Sequence, residues 1–247
     1  MMITSMTSLL LAALLAWQDP GLAASAAKLE KAVLSDDAAA VKEMRTTLLR
    51  RVHGELAQPD APMLRYTIAY AGWRLSFSPL VPAAEQEALL ADAETQLDQA
   101  IKINPKFADA YVLLASVYGG RIARNTDLGM TLGPASSAMV ERAAELDPAN
   151  PRLMIVRAQS LVYTPPEYGG DPKQGEAEFR KAIQAFAKDP AGPWPSWGLM
   201  DAHAFLGQAL LMRGDKAGAR AEFEAALAVA PASRWVKDVL MPKAKQP

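Results

Sequence analysis

The chain has 247 residues, 51% of them hydrophobic, and carries a formal net charge of -1 with a pI near 6.2. This length suits one sizeable domain or one elongated repeat array, and the near-neutral balance excludes the clustered excess of Lys and Arg that a nucleic-acid footprint needs. Cysteine is absent, which excludes disulfides, a thiol nucleophile and a lipid anchor on an N-terminal cysteine.

The chain opens MMITSMTSLLLAALLAWQDPGLAASAAK. The apolar run from Leu9 to Trp17 is shorter than the ~20 residues of a membrane-spanning helix. It has the length of a signal-peptide core and is ended by Asp19, Pro20 and Gly21. Gly21-Leu22-Ala23 fits a small-x-small cleavage site, with Ala24-Ser25-Ala26 as a second choice. Residues 1–23 are therefore expected to be a signal peptide, although no Lys or Arg precedes the apolar run; a buried amphipathic first helix is the alternative. Cleavage after Ala23 removes one charged residue, Asp19, and leaves a neutral chain with no membrane span, placed in the periplasm or secreted. Residues 24–60 read as capping helices, on which Arg50, Arg51 and His53 form a solvated basic face.

Four phrases then recur: KINPKF, ELDPAN, AKDPAG and AVAPAS. Their prolines, Pro105, Pro148, Pro190 and Pro231, are 43, 42 and 41 residues apart. Each follows an Ala-rich amphipathic helix and stops it, because proline cannot donate to the continuing ladder. Four helix pairs result, at about residues 61–105, 108–148, 151–190 and 200–234, within a repeat domain of residues 61–240 that leaves 241–247 as a tail. In the second unit Tyr111, Leu114, Ala115 and Tyr118 share one helix face, and Val140 and Ala143 belong to the partner helix. Between them GGRIARNTDLGMTLGP is an insertion expected to loop out. In the third unit YTPPEYGGDP interrupts the pair. Pro165 and Pro166 end one helix, Gly169-Gly170 permits a tight return, and Asp171 with Pro172 and Gln174 starts the next. DPAGPWPSWGLMDAH then makes a rigid aromatic connector to the last unit.

That last unit, Met200 to Arg234, is the clearest. Gly207 and Ala219 are small where paired helices approach most closely, Phe223 lies on the face of Ala219, and Gly214 and Asp215 form the turn and cap between the helices. Leu206-Gly207, Ala219, Phe223, Ala226 and Pro231 sit at the spacing of the tetratricopeptide (TPR) repeat, which the unit resembles; His203 and Leu210 stand where that family prefers Trp and Tyr. The resemblance is good over about Asp92 to Pro231. It implies an all-α, right-handed α-solenoid of TPR-like helix-turn-helix repeats with extended loops, similar to exported TPR proteins of bacteria. It also implies a non-catalytic scaffold that holds a protein or peptide partner in a groove lined by first helices. A periplasmic small-ligand-binding protein, resembling the TPR component associated with solute transporters, is the alternative.

In that frame Asp109, Ser116, Arg152, Gln159, Asp201 and Gln208 face the groove. The loops add Arg121 and Arg124, which suit an anionic group, and the aromatics Tyr163, Tyr168, Trp194 and Trp197, which form either a wall for a ligand or packing at the seams. Binding candidates are therefore Arg121, Arg124, Arg152, Gln159, Tyr163, Tyr168, Trp194, Trp197 and Gln208. The two histidines, His53 and His203, are 150 residues apart, and no HExxH, metal-ligand spacing or Gly-rich phosphate loop is present. No enzyme activity, cofactor or metal is expected.

Overall fold

The computed structural model describes residues 20–52, 60–189 and 195–245. Most of the expected signal segment, His53 and Trp194 lie outside them. The described residues hold eleven α-helices and no strand. Ten of these pack as consecutive pairs: α1 (Pro20–Leu34) with α2 (Ala38–Val52), α3 (Ala61–Ser76) with α4 (Ala83–Ile103), α5 (Ala108–Arg124) with α6 (Gly129–Leu146), α7 (Pro151–Tyr163) with α8 (Pro172–Phe186), and α9 (Leu199–Met212) with α10 (Lys216–Val229). A π-helical turn, Trp235–Leu240, and α11 (Met241–Lys245) follow. From α3 to α9 the first helices of successive pairs touch one another, which makes the stack an α-solenoid.

Local chemistry starts and stops the helices. Asn150 accepts the Arg152 amide at 2.9 Å, Asp171 the Gln174 amide at 3.0 Å and Asp215 the Gly218 amide at 2.9 Å, each side chain satisfying an orphan donor of a first turn. In the last pair a Cβ on Gly207 would lie 2.4 Å from Phe223 Cε1, so only glycine allows α9 and α10 to approach this closely. The YTPPEYGGDP corner is ordered: Pro166–Tyr168 is a 3-10 turn, Gly169 returns the chain at φ 94°, and the Asp171 amide donates to the Leu161 carbonyl at 2.9 Å.

The second unit departs from the expected loop. Its extra residues lengthen both helices: α5 continues through Gly119 and Gly120, Asn125 caps a 3-10 turn at Thr126–Leu128, and α6 begins at Gly129 and runs on through Pro134. Gly120 passes the neighbouring pair closely, where a Cβ would be 3.3 Å from the Phe77 ring. The extended turn is tied down by Arg121, which pairs with Glu87 at 3.0 Å and Glu94 at 2.5 Å, and by Arg124, which donates to the Ser76 carbonyl. Contacts to the preceding pair keep this stretch helical despite its glycines.

Beside a small cluster of Leu22, Leu48, Leu64 and Ile68, two larger cores divide the described residues. One gathers α1 to α6 with Leu153, Val156 and Trp197; the other runs from α7 to α11 and takes in Leu34 at its margin. The two ends of the array meet as well. The Arg234 amide donates to Asp36 Oδ2 at 2.9 Å, and the two side chains pair at 3.3 Å across 198 residues of sequence.

Candidate functional site

α3 is buried almost all round, the signature of a helix at the centre of a structure and not at its surface. Its sequence places Tyr66, Tyr70 and Trp73 on one stripe, with Arg74 beside it. Trp197 enters this stripe from the connector before α9. Its ring centroid lies 5.3 Å from that of Trp73 and 6.0 Å from that of Tyr70, and its indole N–H donates to Tyr66 Oη at 2.7 Å. Trp197 is 2% exposed. The ring therefore fills the inner face of the array and reaches across to the second described pair, 131 residues away in sequence.

Charge follows the aromatics inward. Arg74 grips Asp201 with two parallel bonds, Nη1 to Oδ1 at 2.8 Å and Nη2 to Oδ2 at 2.6 Å, while its guanidinium lies 4.7 Å from the Trp73 ring centroid. Bidentate geometry and the aromatic face both favour arginine over lysine here. Arg74 Nε also donates to Tyr70 Oη at 3.0 Å, and Tyr70 in turn donates to Glu30 Oε2 on α1 at 2.8 Å. A second node lies nearby: buried Arg152 donates to Asp109 Oδ1 at 2.7 Å and to Asp189 Oδ2 at 2.9 Å. Two guanidinium groups thus face four carboxylates. Glu30 is the carboxylate without a cation bonded to it, and its Oε1 takes no hydrogen bond among the described residues. Burial pushes the Glu30 carboxyl above the usual range, outweighing the pull of Arg74 and of the Tyr70 hydroxyl.

Glu30 also lines a cleft of about 600 Å3. Ala27, Glu30, Lys31 and Leu34, at the i, i+3, i+4, i+7 spacing of one helical face, form one wall on α1. Ser196 of the connector and Pro231 and Ala232 after α10 form the other.

The sequence-predicted residues divide into groups. Arg152 and Trp197 share the inner cluster, together with the groove positions Asp109 and Asp201. Arg121 and Arg124 sit at the extended turn of the second unit. Arg121 is paired with Glu87 and Glu94, and the Arg124 guanidinium lies 4.9 Å from the Phe77 ring centroid. Tyr163 and Tyr168 stand at the corner of the third unit, 48% and 75% exposed, with Tyr163 edge-on to Phe205 at 6.4 Å. Gln159 is partly exposed on α7, and Gln208 on α9 holds a buried Nε2 with no partner. His203 Nδ1 lies 2.7 Å from Glu222. Sequence reasoning missed Glu30, Tyr66, Tyr70 and Arg74. The signal was the stripe RYTIAYAGWR, whose aromatics recur at i, i+4 and i+7 where a repeat frame fits poorly.

Among the described residues no group of acidic and histidine side chains is placed to hold a metal, and no helix is long and apolar enough to cross a membrane. No family profile matches the chain, and no curated protein sequence matches it. Solved structures do. The HusA haemophore of Porphyromonas gingivalis superimposes with a TM-score of 0.63 at 23% identity, over 77% of this chain and 92% of its own. TTC0263, a TPR protein of Thermus thermophilus, superimposes with a TM-score of 0.60 at 15% identity, over 89% of this chain and 98% of its own. In fold, the chain is an all-α solenoid of helix pairs, similar in architecture to a TPR protein.

Proposed function

We propose that the protein is a non-catalytic, exported scaffold that binds a protein partner presenting an apolar segment. One observation carries this reading. Eight large apolar side chains stand well exposed among the described residues, and six lie in or beside the turns inside the helix pairs: Phe77, Leu80, Met130, Tyr163, Tyr168 and Met212. Those turns share one edge of the stack, where Arg124 reaches the Ser76 carbonyl of the preceding unit and Arg213 pairs with Glu176 at 3.3 Å. An array that buries its own inner face under Trp197 and leaves aromatics along an edge suits docking on that edge. A peptide lying in the groove would have to displace Trp197.

Chemical cross-linking in the envelope fraction of the native cell tests this. Wild type is expected to capture one defined protein, and a Tyr163→Ala/Tyr168→Ala variant with unchanged circular dichroism to lose it. Retention by the variant would move the site off this edge. Export is tested by the N-terminal mass of the mature chain. Leu22 is buried with Leu48, Leu64 and Ile68, so a cut after Ala23 would take one side chain from that cluster.

Small-ligand capture is the second reading. It is favoured by the cleft between α1 and the Pro231 turn, whose volume lies in the range of ligand sites, and by the likeness to a haemophore.

A further inference from the structure

The cleft combines features that together select a ligand chemistry. Its walls are mostly apolar, from Ala27, Leu34, Pro231 and Ala232. The polar group fixed in place there is the Glu30 carboxylate, oriented through Oε2 by the Tyr70 hydroxyl. The neighbouring cations are already committed: Arg74 to Asp201 by two bonds, and Arg152 to Asp109 and Asp189. Lys31 lines the same cleft but is exposed, so its ammonium stands at the watery rim. An oriented carboxylate with a free oxygen, beside arginines already paired, an exposed lysine at the rim, two serines and apolar walls, suits a cation carried on an apolar body.

We propose that this cleft binds a small organic cation, an ammonium group carried on an apolar body, with Glu30 as its anchor. This rests on the small-ligand reading. The ligand's N–H groups donate to Glu30 Oε1, and its body packs against Leu34, Pro231 and Ala232. Binding places a positive charge beside Glu30, and the half-buried setting makes such a charge-assisted bond stronger than one at an open surface.

The test is isothermal titration of the full chain with phenethylamine and with N-acetylphenethylamine, which has the same body without the charge. The amine is expected to bind about tenfold or more tightly than its acetyl derivative, the scale of one hydrogen bond to a charged group. Glu30→Gln should abolish that difference. Lys31→Glu, on the exposed rim, should tighten amine binding roughly two- to fivefold. Ala232→Trp, an exposed position that would fill the cleft, should block both compounds. Amine binding unchanged in Glu30→Gln or in Ala232→Trp overturns the assignment. Equal binding of both compounds, lost in Ala232→Trp, overturns the ammonium assignment and leaves small-ligand capture standing. Failure of both compounds to bind at millimolar concentration overturns the two together.

Discussion

Arg74 and Glu30 show how much of this molecule turns on single side chains. Arg74 lies partly buried against aromatic rings and is satisfied by Asp201, which is 4% exposed. Removing one member of a buried pair strands the other charge, so Asp201→Ala is expected to cost about 3–5 kcal/mol, read as a fall in the urea midpoint at unchanged slope. Glu30 behaves in the opposite sense. Its carboxyl is raised by burial, so the folded chain holds this proton more tightly than the unfolded chain. Its contribution to stability is therefore fully present below the unfolded value and is lost as pH rises through the folded one. Glutamine is uncharged at every pH, so Glu30→Gln is expected to melt above wild type at pH 7. The difference should vanish once the medium is acidic enough to protonate Glu30 in both states. A calorimetric melting series against pH checks this; a variant less stable at pH 7 would mean that the Tyr70 bond to the ionised carboxylate outweighs the burial cost.

At the scale of helices, the sequence was most legible where a pair is stabilised by its own small residues. The last pair was readable from Gly207, Ala219 and Phe223 because those positions lie within 16 residues of each other in sequence. Replacing Gly207 with alanine drives a methyl into the Phe223 ring and is expected to cost about 1–3 kcal/mol by overpacking, measured by chemical denaturation. The YTPPEYGGDP corner was equally legible, since Pro, Gly and Asp act on their own neighbours. The second unit was not. Whether GGRIARNTDLGMTLGP loops out or extends two helices depends on Glu87, Glu94 and the Ser76 carbonyl in the preceding pair. No local propensity encodes them. The inner site was hidden for the same reason: Arg152 and Trp197 could be singled out as residues, but their partners Asp109, Asp189 and Tyr66 come together only through the curvature of the stack.

Across the whole molecule, contacts between distant units change how it should unfold. An open repeat array is stabilised by neighbour-to-neighbour terms and can lose its end units first. Here Trp197 is locked onto α3, Arg74 onto Asp201, and Asp36 onto Arg234, so the early and late units stand or fall together. Tryptophan fluorescence and far-UV circular dichroism are expected to give coincident denaturation curves. Trp197→Ala, which costs about 3–5 kcal/mol for so large a buried side chain, should separate them as the last pairs detach.

The pairing of Asp36 with Arg234 also bears on how such a chain can evolve. Repeat proteins commonly change length by gaining or losing whole units, because each interface is like the last. A chain whose Asp36 turn must reach Arg234 ties the number of units between them, because a unit more or fewer would break this contact. Variation is thereby confined to the residues inside each unit and to the turns that point outward.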